Sequence, residues 1–478
     1  MATARPNRIQ IDEYSVFLFL VVLFSQYFLA NGEYIFASFA TLAILLYSIT
    51  QPYKPAVFSV IVLHHVLQVV AGVWQANYRN VDINARALDT SVAVIASLIG
   101  LFFLFYPTIY FQNKLPNYQK KDLKEFASTL STQKVLTLYL IAFFIASVLQ
   151  GLAFVYSGIT QIIFSLLKIK WLLFLLLGYM CILKNEYRKV FYIIVTIEFI
   201  LGFYSFFADF KTVIYYLLVL LVSFISVLNI KQIIMVSILG VALGALALFW
   251  TAIKEDYRAF LQGGDEVEDG RVQSVSVSSG EAFDKIGDLS ENLNQDKFQS
   301  STDQLLDRLQ YTYHFAKAIE NVPDRIPFQN GKNWLEVIEF TTTPRFLNPD
   351  KPVLENSVKA SKYTGIRYLG KEKGVSFSLG YFAEFYIDFG FKGMMLGILA
   401  LGIVYGRVYY YFARKATENP LVNYAVVGGF FLEFYAFEMD GTFLVGRFLA
   451  TLVTFSLIIS LFGKWFIQFI TLRYDENV

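Results

Sequence analysis

The chain has 478 residues, 56% hydrophobic and 16% charged, with 40 basic side chains against 38 acidic ones and a mean hydropathy of +0.50. Soluble domains carry roughly 25% charged residues, so this composition excludes an ordinary soluble enzyme and a disordered chain. The near-neutral balance leaves no basic footprint for nucleic acid. A single cysteine, Cys181, and three histidines exclude an intrachain disulfide and a Cys- or His-rich metal cluster. What remains is an all-α polytopic membrane protein.

A helix needs about 20 mostly apolar residues to cross the hydrocarbon core. Twelve runs qualify: 14–31, 34–50, 56–76, 90–111, 134–156, 163–183, 189–208, 212–229, 232–252, 391–412, 420–437 and 444–470. The first follows Arg5, Arg8, Asp12 and Glu13 and is long enough to stay as a span. With the N-terminus in the cytoplasm, one set of short loops and termini holds fifteen basic residues and the other set only Arg79, Arg86 and Lys211. This asymmetry predicts N-in, C-in topology. Residues 1–252 then carry spans one to nine, 253–390 form a large extracytoplasmic loop leading into the tenth span, and 391–478 carry the last three spans.

Within the loop, residues 262–302 are polar and poor in aromatics, with Gly263-Gly264 and the acidic group Asp265, Glu266, Glu268 and Asp269. Such a segment lacks the apolar content for a core and reads as a linker or a lid. A helix is expected next. Ser301 and Gln304 have capping-box spacing, Leu305, Leu306, Leu309, Tyr313, Ala316 and Ile319 form one apolar stripe, and Pro323 ends it. Asp307, Tyr311 and His314 share the opposite face. That face is either simply solvated or the rim of a sugar site, with His314 as a candidate base.

The segment from Thr343 to Pro352 has three prolines and is stiff and extended. It presents Arg345 and Lys351 with little entropy left to lose, which suits an anionic headgroup. The loop closes on Gly380, Glu384, Asp388, Gly390 and Gly393. Glu384 and Asp388 are i,i+4 and share a helical face. Lys254 to Arg258 leave the ninth span at the same level.

Here the chain resembles the O-antigen polymerase (Wzy-type) family, the oligosaccharide repeat-unit polymerases. The matching residues are Tyr257-Arg258 after a span, Pro344-Arg345…Lys351-Pro352, and Gly380…Glu384-Phe385-Tyr386…Phe389-Gly390…Gly393 entering the next span. Phe207 to Lys211 likewise matches a short polar turn that such proteins often carry.

The resemblance implies a GT-C-like membrane fold in the bacterial inner membrane, with the loop in the periplasm. It implies an inverting glycosyltransferase that moves a growing glycan from an undecaprenyl-pyrophosphate donor to an undecaprenyl-pyrophosphate-linked acceptor, without a nucleotide sugar, cofactor or obligatory metal. The lipid bilayer is its medium, and a chain-length regulator is a further partner the resemblance admits. An O-antigen ligase-like transferase uses the same donor. A lipid-linked glycan flippase or other transporter is the non-enzymatic alternative, but no internal repeat is evident.

Departure of a lipid pyrophosphate develops negative charge that fixed cations must stabilise. Arg258, Arg345 and Lys351 are the first candidates, with Arg308, Arg325 and Arg367 behind them. Glu384 leads as base, followed by His314. Tyr311, Tyr313, Trp334, Tyr381 and Tyr386 either stack on sugars or pack the core. Glu198, Glu433 and Arg447 are charges within spans, each expected to pair or line a cavity. Arg447 is either a further pyrophosphate contact or the partner of Glu438 or Asp440. His64 and His65 are expected to hydrogen-bond between helices.

Arg345→Ala is expected to leave protein level and insertion unchanged and to abolish chain elongation, so that only single repeat units remain attached. Normal long-chain glycan from that variant would reject the role given to Arg345.

Overall fold

The computed structural model describes residues 8–155, 160–204, 210–261, 279–291, 293, 295–343, 348, 351, 355–368 and 376–472. Among the described residues the regular structure is helical apart from two paired dipeptides and an isolated bridge between Leu130 and Thr471. In order, the helices are α1 (Glu13–Tyr27), α2 (Gly32–Ile49), α3 (Val57–Tyr78), α4 (Thr90–Gln112), α5 (Lys120–Ser128), α6 (Thr132–Val155), α7 (Thr160–Lys184), α8 (Arg188–Tyr204), α9 (Phe210–Val222) and α10 (Ile230–Leu261). Then come α11 (Ser279–Glu291), α12 (Gln295–Leu309), α13 (Thr312–Asn321), α14 (Lys332–Thr342), α15 (Asn356–Thr364), α16 (Tyr381–Lys415), α17 (Pro420–Phe431) and α18 (Gly441–Ile470).

Each of the twelve apolar runs falls on a helix. Eight helices are long and apolar enough to cross a membrane: α2, α3, α4, α6, α7, α10, α16 and α18. The helices α1 and α9, and α17 with the short turn after it, are apolar but shorter.

The loops gather at two ends of the bundle. At one end, Gln10–Ile11 pairs in parallel with Val227–Leu228. Lys54 Nζ donates to the carbonyl of Gln112 at 3.1 Å, and Ser131 N donates to Ile470 O at 2.7 Å. These segments belong to the lysine-rich loops, so this is the basic end.

At the other end, Asn31 Nδ2 donates to Val81 O at 3.0 Å, Arg79 pairs with Asp303 at 2.9 Å and Arg86 with Asp307 at 2.7 Å. This end carries the long loop.

The long loop folds against the bundle through α11 to α15. Residues 262–278 lie outside the described residues, but 279–302, expected as linker, are mostly helical. The helix expected to start at Ser301 starts at Gln295, and it does not run on to Pro323. It breaks at Gln310–Tyr311, where Tyr311 N donates to Gln68 O at 3.1 Å. The break separates the face that joined Asp307, Tyr311 and His314. Asp307 turns to Arg86 and Gln75, whereas Tyr311 is buried and accepts from Ala383 N at 2.8 Å.

Two glycines steer α16. Gly390 has φ 65°, ψ −176°, a conformation reserved for glycine, and it breaks the helix where the tenth span was expected to begin. Gly380 has φ 87°, and a Cβ there would meet Phe437 O at 2.3 Å and a Tyr311 ring carbon at 2.6 Å. Neither neighbour can withdraw, since one is backbone and the other is buried. Gly380→Ala is expected to destabilise the protein by at least about 2 kcal/mol, measured by denaturation in detergent. An unchanged midpoint would contradict this close packing.

Candidate functional site

A seam of buried polar groups joins α14, α15, α16 and α18 at the loop end. Glu384 is only 1% exposed. Its Oε1 accepts from Lys359 Nζ at 2.6 Å and its Oε2 from Gly441 N at 2.7 Å. Asp440 caps α18, accepting from Thr442 N at 2.8 Å and Phe443 N at 3.0 Å. Its other oxygen accepts from Asn356 Nδ2 at 2.7 Å and Ser378 Oγ at 3.0 Å. Asp388 serves the N-terminus of α14, which begins at Gly331 without a side-chain cap of its own. It accepts from Trp334 N at 3.0 Å and Asn333 Nδ2 at 2.6 Å. Burial favours neutral Lys359, but the Glu384 carboxylate outweighs it and holds the ammonium above its usual range.

Glu384 and Asp388 thus share a face directed at α14, as their spacing predicts. Glu384, however, already holds two donors and has almost no contact with solvent. In this arrangement it is a positioning group, not an open base. His314 is hydrogen-bonded through Nδ1 to the Tyr368 hydroxyl at 2.7 Å and lies against the Phe377 ring, 4.5 Å between centroids. Burial pushes its imidazole down to about 4, which makes it a weak base at neutral pH.

The described members of the expected cation group sit on different elements, Arg258 on α10 and Lys351 after α14. Arg345 lies outside the described residues, with most of the proline-rich segment. Lys351 turns onto the C-terminus of α14: Nζ donates to the carbonyls of Phe340 and, at 2.8 Å, Thr343, and it sits 3.6 Å from the Phe340 ring centroid. A cation there satisfies helix carbonyls and their dipole. Arg258 is half-buried in the last turn of α10. Arg325 reaches Asn321 at 3.3 Å, and Arg308 and Arg367 are exposed. The aromatic candidates mostly pack: Tyr311, Tyr381 and Tyr386 are buried, Trp334 stacks on Phe385 at 4.0 Å, and Arg86 covers the Tyr313 ring at 4.6 Å.

A different cationic group lies inside the bundle. Lys168 on α7 forms an ion pair with Glu433, just after α17, and donates to Thr451 Oγ1 on α18 at 2.5 Å. Arg447, one turn before Thr451 on α18, lies close enough to act electrostatically on Lys168. Its Nε is buried without a hydrogen-bond partner, and its guanidinium sits 5.2 Å from the Phe443 ring centroid. The two carboxylates expected to pair with Arg447 are engaged elsewhere. Glu438 accepts from Gln68 Nε2, and Asp440 caps α18. The Lys168–Glu433 pair lies about 12 Å inside the loop-end terminus of α7 at 1.5 Å per residue.

Lys168, Lys170 and Lys359 were not legible from sequence. Lys168 and Lys170 sit in a long apolar run, and only the partners Glu433 and Glu198, far along the chain, reveal them. Lys170 donates to Glu198 at 2.9 Å, and Tyr139 donates to the same carboxylate at 2.6 Å. The histidines behave as expected: His65 is hydrogen-bonded to Tyr381 at 3.0 Å and His64 to Tyr215 at 2.9 Å.

Residues 111–425 match the model of the family described as Domain of unknown function (DUF8712), well over half of the chain, and the chain belongs to that family. The match takes in Lys168, Lys359 and Glu384 and ends before Glu433 and Arg447. No curated protein and no solved structure matches the chain.

Removing one member of a buried ion pair strands the other. Lys359→Met is expected to cost about 3–5 kcal/mol of stability, whereas Lys359→Met with Glu384→Gln costs less than the two single changes together. Burial also raises the Glu384 carboxyl, so the pair weakens in acid. Because the lysine is held above its usual value, its own contribution is present below that value. Its contribution is lost as pH rises through the raised one. Denaturation of the purified variants at neutral and alkaline pH measures both effects. Additive losses would show that Glu384 and Lys359 act independently.

Proposed function

We propose that this DUF8712-family chain polymerises undecaprenyl-pyrophosphate-linked oligosaccharide repeat units at the outer face of a bacterial inner membrane. The observation that supports this reading is the excess positive charge of Lys168 and Arg447 over Glu433 within an apolar bundle. A buried cation without a counter-charge is costly, and an anionic group between Arg447 Nε and Lys168 would complete the set. A lipid diphosphate is such an anion, and it enters from the apolar side.

In this reading the acceptor sugar hydroxyl attacks the anomeric carbon of the donor glycan. The bond from that carbon to the diphosphate oxygen breaks, the new glycosidic bond forms with inversion, and the hydroxyl proton passes to solvent. The polyprenyl diphosphate leaves with the bonding electrons, and Lys168 and Arg447 neutralise the charge it gains. Fixed side chains need no reorganisation at that moment, so they are most effective where water is excluded. Glu384, Lys359 and Asp440 set the start of α18. Arg447 stands six residues beyond Gly441, about 9 Å along that helix, so this seam positions the guanidinium.

The test supplies purified protein with lipid-pyrophosphate-linked repeat units. Oligomers are expected from the wild type, and Arg447→Gln is expected to lower their rate about 10²–10³-fold with unchanged protein level. Transfer only to a different lipid core would replace polymerase by ligase. Translocation in vesicles without transfer would replace both by a transporter.

A further inference from the structure

The loop helix α14 packs beside the first turns of α18. A Cβ at Gly441 would meet Val337 and Trp334 at 3.1 and 3.2 Å. Among the described residues, a Cβ at Gly446 would meet only Thr341, at 3.5 Å. From Trp334 to Thr341, α14 thus advances along α18 from the loop end towards the basic end.

The stripe of α18 that carries Gly446 continues at helical period through Val453 and Leu457, and both are exposed. In an apolar span such a stripe faces lipid, so α14 stands on a lipid-facing side of α18. The level agrees. At the basic end the exposed Trp465 stacks on Phe469, as rings of an interfacial belt do. A hydrocarbon core of about 30 Å, about 20 residues at 1.5 Å each, reaches from Trp465 to Val445. That is where Thr341 meets Gly446.

The uncovered arc of α14 is divided in two. At about 100° per residue, Ile338 and Leu335 follow the edge that faces α18, and they are 51% and 58% exposed. Glu339, Lys332 and Glu336 come next around the helix, all exposed. An apolar flank beside a charged one suits the boundary between lipid and water.

We propose that α14 is an interfacial helix, with Leu335 and Ile338 inserted at the headgroup–acyl boundary of the leaflet at the loop end. The apolar flank is continuous with the lipid-facing side of α18, which makes a bilayer its partner rather than a second copy of the chain. Asp388 holds the N-terminus of α14 through Trp334 N, and Lys351 closes its C-terminus. Insertion of α14 therefore seats the whole loop cap on the membrane. This attachment is independent of the chemistry proposed above and is read without substrate.

Spin labels at Leu335→Cys, Ile338→Cys, Glu336→Cys and Val453→Cys test it, each in the full chain with Cys181→Ser, in phosphatidylcholine–phosphatidylglycerol nanodiscs. Power saturation compares collision with oxygen, which concentrates in lipid, and with a water-soluble nickel chelate. The oxygen-to-nickel ratio is expected to be several-fold higher at Leu335→Cys and Ile338→Cys than at Glu336→Cys, and below that of Val453→Cys, which lies deeper. All the labelled loop positions are exposed, so the label displaces no packed side chain. A ratio at Leu335→Cys or Ile338→Cys equal to that at Glu336→Cys would place the flank in water and overturn the assignment. Shielding of both positions from both reagents would also overturn it, because a protein surface would then cover the flank.

Discussion

A charge taken into an apolar bundle must find a counter-charge, and much of this structure follows from that requirement. The half-buried Lys170 and the buried Glu198 satisfy each other, with Tyr139 completing the carboxylate. Glu384 is satisfied by Lys359 and by the first amide of α18. Lys168, Glu433 and Arg447 do not balance. Arg447 Nε is buried without a hydrogen-bond partner, which sets this cluster apart from the Lys170 and Lys359 pairs.

The polar seam at the loop end gives the imbalance its geometry. Glu384, Asp388 and Asp440 each serve the start of a neighbouring helix or a side chain that anchors one. Together they tie α14 and α15 of the loop to α16 and α18 of the bundle. Gly380 and Gly390 permit the turns that bring these elements together. The loop is thus a folded cap whose contacts set the depth and rotation of α18, and through it the position of Arg447. Lys351 also serves this cap by closing α14. A cation that satisfies helix carbonyls stiffens the cap.

The fold was legible in the sequence to the extent that it depends on local apolar runs. All twelve runs fall on helices, and the break at Gly390 fell where a span was expected to start. The loop interior was less legible, because its helices are amphipathic and set by distant partners. The single helix expected from Ser301 to Pro323 is cut at Tyr311 by a hydrogen bond to Gln68, which no local pattern announces. The site was legible in its carboxylates but not in its lysines. Glu384 and Asp388 announce themselves by spacing among aromatics. Lys359 is one lysine among several in a polar stretch, and Lys168 is hidden in an apolar run. Its meaning depends on Glu433, 265 positions away, and on Thr451.

The central claim places a lipid diphosphate between Lys168 and Arg447. The most direct test is cryo-electron microscopy of the full chain with a non-transferable lipid diphosphate analogue. The account predicts phosphate density within hydrogen-bonding distance of Arg447 Nε and Lys168 Nζ. Phosphate density held instead beside Lys351 or Arg258, with Arg447 Nε still without a partner, would contradict it.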